Sequence, residues 1–228
     1  MTVAAIHQPN YLPWLGYFHK IKAADIFVFL DTVDYQSGNA FSVTNRARIK
    51  GGNGVVLLTV PVSGKTASRR VQDVCVDSST AWARKHLRSI ELSYRRAPYF
   101  SQFFGVLGAV LSSPPASLAE LNIRLIVELS RYLNFRTPVV WASALGVGAV
   151  DRNQRLIEVC QKVGATTYLS GQGGRKYNDE AHFLQHGISL GYTRFIHPEY
   201  PQLHGEFVAG LSVIDAIFNC GPGAAKLL

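Results

Sequence analysis

Apolar positions along the chain follow two regimes: short continuous runs, and longer stretches in which they recur at helical spacing. Val3 to Ile6 and Ile26 to Leu30 are runs without alternation, as expected of strands buried on both faces of a parallel sheet. Between them, Pro9 and Pro13 exclude a regular ladder or helix interior, and Trp14 to Ala24 has helical spacing. The chain therefore opens as strand, loop, helix and strand. Asn45 to Lys50 then alternates, placing Arg46, Arg48 and Lys50 on one side. Gly51-Gly52-Asn53-Gly54 and the apolar run Val55 to Val62 complete a predicted β-hairpin. Val71 to Val76 predicts one more short strand.

Ser79 is the expected N-cap of a helix from Thr80 to Tyr94, interrupted by Pro98. A second helix spans Tyr99 to Leu111, and Ser117 caps a third that runs to about Leu133. From Thr137 a βαβα series follows: strand Val139 to Ala144, helix Asn153 to Val163, strand Thr166 to Leu169, helix Glu180 to His186 and strand Ile188 to Phe195. Ser212 to Phe218 closes the chain as a short helix. The expected fold is Rossmann-like α/β: a mostly parallel sheet with a β-hairpin, in one domain over 1–228 with residues 80–135 a helical insertion or subdomain.

Composition narrows the class. Of 228 residues 47% are apolar, enough for a sizeable core and too many for a disordered chain. No apolar run reaches the roughly 18 residues of a membrane span, and no signal-peptide pattern opens the chain, so the expected location is cytoplasmic. Cys75, Cys160 and Cys220 are too widely separated for a disulfide framework or paired zinc ligands, and no metal or cofactor is expected. The formal charge of +8 calls for an anionic partner. No zinc-finger, RNP or basic-helix pattern accompanies it, which argues against specific nucleic-acid binding. A phosphate-bearing small molecule or a carrier-linked substrate fits better.

Candidate chemistry gathers in loops at predicted strand ends, where open α/β sheets bind ligands. His7, with Gln8, Asn10, Tyr11 and Trp14, follows the first strand, and Asp31 ends the second. Ser170, Gly171, Gly173, Gly174, Arg175 and Tyr177 form a glycine loop before a predicted helix, readable either as an anion cradle or as a tight turn. It matches neither the Walker nor the dinucleotide pattern. His197 and His204, with Tyr200 and Gln202, share a late loop, and each histidine is a candidate general base. Asn45, Arg46, Arg48 and Lys50 offer a cationic strand face, either anion-binding or a solvated edge. Cys220, a candidate nucleophile, stands at a helix C-terminus, where the dipole does not lower a thiol pKa. A parallel sheet brings His7, Asp31, Ser170 and His197 to the same end of the strands.

Six ordered segments together resemble the WbqC-like family: Ile6-His7-Gln8-Pro9-Asn10-Tyr11-Leu12-Pro13-Trp14-Leu15-Gly16-Tyr17-Phe18, the strand ending at Asp31, Asn45-Arg46-x-Arg48-Ile49-Lys50, Tyr168-Leu169-Ser170-Gly171-x-Gly173-Gly174-Arg175, His197-Pro198-x-Tyr200-Pro201-Gln202, and Phe218-Asn219-x-Gly221-Pro222. Ala47, Gln172 and Gly223 depart from the pattern, standing where Asn, Pro and Glu are expected. The resemblance implies a bacterial protein of surface-polysaccharide or natural-product biosynthesis. A fainter likeness, of topology alone, is to nucleotidyltransferase-like α/β folds, whose loop histidines are absent here. Three functions follow as expectations. The first is a transferase moving an acyl or aminoacyl group onto an amine of a sugar nucleotide or natural-product intermediate. The second is a nucleotidyl- or adenylyl-transfer enzyme. The third is a non-catalytic binding or assembly protein.

Overall fold

The computed structural model describes residues 1–36, 43–64 and 69–228. Its elements in chain order are β1 (Val3–His7), α1 (Leu15–Lys22), β2 (Ile26–Phe29), β3 (Arg46–Gly51), β4 (Gly54–Thr59), α2 (Trp82–Tyr94), α3 (Phe100–Ser112) and α4 (Leu118–Tyr132). There follow β5 (Val139–Trp141), α5 (Arg152–Lys162), β6 (Thr167–Ser170), α6 (Glu180–Gln185), β7 (Ser189–Tyr192) and α7 (Val213–Cys220). The protein is mixed α/β and Rossmann-like. Five strands form an all-parallel sheet in the order β5-β2-β1-β6-β7, and β3-β4 is a separate antiparallel hairpin. Gly51 pairs with Gly54 across a turn of Gly52 and Asn53.

Strand side chains alternate between two cores. Ala5, Phe27 and Phe29 enter a large cluster with residues of α1, the hairpin, α2, α3, α4 and α7. Ala4, Ile6, Val28 and Tyr168 point the other way, onto residues of α5 and α6. A parallel sheet covered on both faces needs apolar residues at every position, which is why these strands read as unbroken runs.

Several segments differ from the sequence reading: the strand expected from Val139 to Ala144 ends at Trp141, with Ala142–Leu145 a 3-10 turn, and those expected to reach Val62 and Phe195 end at Thr59 and Tyr192. Val71 to Val76 is not a strand: Val71–Asp73 forms a 3-10 turn, and pairing there is limited to the bridges Val62 with Val76 and Cys75 with Ser117. The helix expected from Thr80 begins at Trp82, because the Ser79 amide donates to Asp77 Oδ1 and holds the chain in a local turn. Part of the first polar loop, 37–42, lies outside the described residues, as does 65–68.

The segment between β1 and α1 is fixed from the interior. Asn122 of α4 donates from Nδ2 to the carbonyls of Pro9 (3.0 Å) and Thr44 (2.7 Å), the Tyr11 amide donates to the Thr44 carbonyl, and Tyr11 Oη meets His86 Nδ1 at 2.9 Å. Leu12, fully buried, is held at a φ of 41°, a left-handed conformation that costs a bulky residue energy. A second buried network joins hairpin, helices and the late loop. Tyr94 Oη donates to Asp215 Oδ1 (2.8 Å) and accepts from the Lys50 amide (2.9 Å), while Lys50 Nζ donates to Gln202 Oε1 and the carbonyls of Gly205 and Glu206. Burial holds the Asp215 carboxyl above its ordinary range.

Burial lowers the His86 pKa from 6.5 to about 4. A neutral His86 therefore supports the fold above pH 6.5, and that support is lost as pH falls, because the unfolded chain takes up the proton first. In chemical denaturation, the stability advantage of the native protein over a His86→Gln variant should shrink by about 3 kcal/mol between pH 7 and 4.

Candidate functional site

In the strand order, β1 lies between β2 and β6, and the chain crosses from one sheet face to the other between β5 and β6. The carboxyl ends of β1 and β6 thus flank the topological switch point, where coverage by flanking helices parts. A cleft of about 570 Å³ opens there. Its walls include His7 and Gln8 from the end of β1, Ser170, Gly171, Gly173 and Gly174 after β6, Asp34 after β2, Arg152 and Arg155 of α5, and Lys20 of α1.

Each wall has a local cause. The Gln8 carbonyl accepts from Tyr17 Oη (3.0 Å) and is 3.0 Å from His7 Nδ1. A carbonyl only accepts, so this contact puts the proton on Nδ1 and leaves Nε2 with the lone pair. Burial, and then the charge of Lys20, lower the His7 pKa to about 4. The imidazole is neutral at physiological pH. Ser170 Oγ accepts from Asn178 Nδ2 (3.0 Å), and Gly174 packs against both. The Tyr177 ring, half exposed, lies under the Arg152 guanidinium at 4.3 Å. Arg155 is aimed by donation to the carbonyls of Ala149 (3.0 Å) and Val150 (2.8 Å).

Lys20 is the deepest cation of the cleft. It is 4% exposed, its ammonium donates to the Ile6 carbonyl at 2.7 Å, and it lies 5.7 Å from the Tyr168 ring centroid. Burial lowers its pKa from 10.5 to about 7. Sequence reasoning passed over it, although a signal existed: at helical spacing Lys20 falls on the apolar face with Tyr17, Ile21 and Ala24. Arg152, Arg155 and Asn178 were also missed, and nothing in the local pattern separates them from surface residues.

Of the residues singled out in the sequence, the cleft brings together His7, Gln8, Ser170, Gly171, Gly173, Gly174 and Tyr177. The rest stand elsewhere. Asp31 is fully buried and accepts from the Ser143 amide (2.9 Å) and hydroxyl (2.6 Å). Asn10 and Tyr11 are buried, and Asn45 donates to the Val60 carbonyl. Trp14 stacks on His197, which sits among Phe195, Tyr200 and Phe207 with Nδ1 3.1 Å from the Pro198 carbonyl. His204, at a φ of 64°, is tied to the Ser93 carbonyl at 2.7 Å. Gln202 is bonded to Val208 and Lys50.

The row Arg46, Arg48 and Lys50 is not one solvated cationic face. Lys50 is buried and carbonyl-bound, Arg46 is half-buried, and Arg48 is exposed. Arg175 turns from the cleft onto Tyr192, with its guanidinium 4.2 Å from the ring centroid. The Cys220 thiol is raised by burial and by Asp215, opposite to activation. The glycine loop, Gln172–Lys176, is a 3-10 turn, and α6 begins beyond it with the Asp179 carboxylate already accepting from the His182 amide. The positive wall of the cleft is therefore made by side chains of α1 and α5. No group of His, Cys, Asp and Glu among the described residues is arranged to hold a metal, and none of their helices is long and apolar enough to cross a membrane.

Together these features define a doubly wound α/β protein with a polar cleft at its switch point. Comparison with known proteins gives the family: the chain belongs to the WbqC-like protein family, whose profile matches residues 8–227. It is similar to "Uncharacterized protein Rv1507c" of Mycobacterium tuberculosis (strain ATCC 25618 / H37Rv), with 34% identity over 235 residues, 100% of this chain and 98% of that protein. No solved structure matches the chain at a significant level.

A Cβ at Gly174 would lie 2.2 Å from Ser170 Oγ and 2.8 Å from Asn178 Nδ2. Gly174→Ala should destabilise the protein by about 1–3 kcal/mol, read as a fall of several degrees in Tm, whereas alanine at Gly171, with open space around it, should not.

Proposed function

We propose that the protein is a group transferase that moves an acyl or aminoacyl group from an activated donor onto the amine of a sugar nucleotide or natural-product intermediate. The observation that supports this reading is the meeting, in one cleft, of a cationic wall with a neutral histidine whose Nε2 lone pair is not used by Gln8. The phosphate-bearing part of the acceptor lies against Lys20, Arg152 and Arg155, and its amine faces His7. The amine nitrogen attacks the donor carbonyl carbon, forming the C–N bond. The bond from that carbon to the donor's oxygen or sulfur breaks, and the surplus amine proton passes through His7 Nε2 to the departing atom. A histidine kept neutral by its surroundings needs no prior deprotonation. The biosynthetic setting implied by the family resemblance agrees with such a substrate.

A second reading, nucleotidyl or adenylyl transfer, is favoured by the strand order β5-β2-β1-β6-β7 and the position of the cleft within it. Pyrophosphate exchange with nucleoside triphosphates separates the two, since only nucleotidyl transfer produces it. For the first reading, steady-state assays with amino-sugar nucleotides and acyl thioesters are the test. Alanine at His7 should lower kcat by roughly 10²-fold or more with little change in acceptor affinity. Unchanged turnover would remove His7 from the mechanism.

A further inference from the structure

Lys20 is a buried cation without a counterion in its own chain. Its ammonium has three donors and one is used, on the Ile6 carbonyl. No carboxylate of the described residues lies within 4.0 Å of it, and the ten remaining positions, 37–42 and 65–68, contain neither Asp nor Glu. The Ile6 carbonyl and the Tyr168 ring are neutral partners, so the desolvation of the ammonium is not offset by an opposite charge in the fold. The residue is nevertheless among those that line the cleft, so an anion entering there comes next to it.

We propose that the missing counterion is the ligand's phosphate, and that Lys20 is its docking group, so that the cleft takes a doubly negative phosphate ester and binding is accompanied by uptake of a proton on Lys20. This rests on the cleft being the anion site of the preceding reading and adds which residue meets the dianion and how binding depends on pH. The titratable and charged side chains that share the cleft with Lys20 are His7 from β1, Tyr168 from β6, Asp34 from the loop after β2, Arg152 and Arg155 from α5, and Tyr177 after the glycine loop. His7 and Tyr168 titrate near 4 and 12, outside the range in which Lys20, near 7, changes charge. Above that range the empty cleft holds a neutral amine. A dianion restores the ammonium, and its affinity must weaken with each proton that pH withdraws.

Sulfate is the suitable probe, because it stays doubly charged throughout. Titration calorimetry of the intact protein between about pH 6 and 9 should show sulfate affinity falling by up to about tenfold per pH unit above about 7. Lys20→Arg, permanently charged, should give a flat profile, and Lys20→Met a weak and flat one. As a readout free of substitution, the NMR titration midpoint of the Lys20 Cε resonance should rise when sulfate is added. Sulfate binding with a pH-independent affinity, or a midpoint that sulfate does not move, would overturn the assignment of Lys20 while leaving the cleft an anion site. Absence of sulfate binding at every pH would overturn both.

Discussion

The placement of β1 constrains everything else. It is paired with β2 on one side and β6 on the other, and the helices that follow its two neighbouring strands lie on opposite faces of the sheet. Nothing can pack squarely over its carboxyl end, so the backbone there must find partners from farther away. The Ile6 carbonyl takes the Lys20 ammonium, the Gln8 carbonyl takes Tyr17 and His7, and the Pro9 carbonyl takes Asn122. The polarity of the cleft follows from this need. A sheet with these helices on one face only would have no such opening.

The large helical section and the hairpin hold this loop rather than line the cleft. Residues of α2 and α4 reach the stretch from Pro9 to Tyr11, and the network of Lys50, Tyr94 and Asp215 clamps hairpin, α2 and α7 together. Much of the polar sequence near the N-terminus is thus spent on interior bonds. That division of labour explains how one short segment carries both a buried tyrosine and a cleft histidine: the proline-interrupted chain turns Tyr11 inward, while His7 remains on the strand end.

Elements governed by local chemistry were legible in the sequence. The two-residue turn at Gly52 and Asn53, the N-cap Ser117, and the unbroken apolar strands all appear where pattern and capping place them, whereas Ser79, the expected cap of α2, does not cap it. What the pattern left out is the identity of the neighbour across space. Alternation put Lys50 on one side of β3, but the carbonyls of Gly205 and Glu206 that bury it come from far along the chain. Strand ends predicted a shared location for His7, Asp31, Ser170 and His197, yet Asp31 is bonded to Ser143 and His197 sits among aromatic rings, leaving His7 and Ser170 on the cleft. Lys20 was the reverse case. Its position on an apolar helical face was readable, but its significance depends on the absence of a carboxylate partner, which only the packing reveals.

The account turns on where a doubly charged anion settles. The most direct measurement is an anomalous difference map from crystals soaked in selenate, whose heavy atom marks its own position. The account predicts the strongest peak at the carboxyl ends of β1 and β6, between Lys20 and the arginines of α5. A peak confined to the groove beside Lys22, Arg136 and Lys226 at the C-terminal end of α4, with none in the cleft, would contradict it.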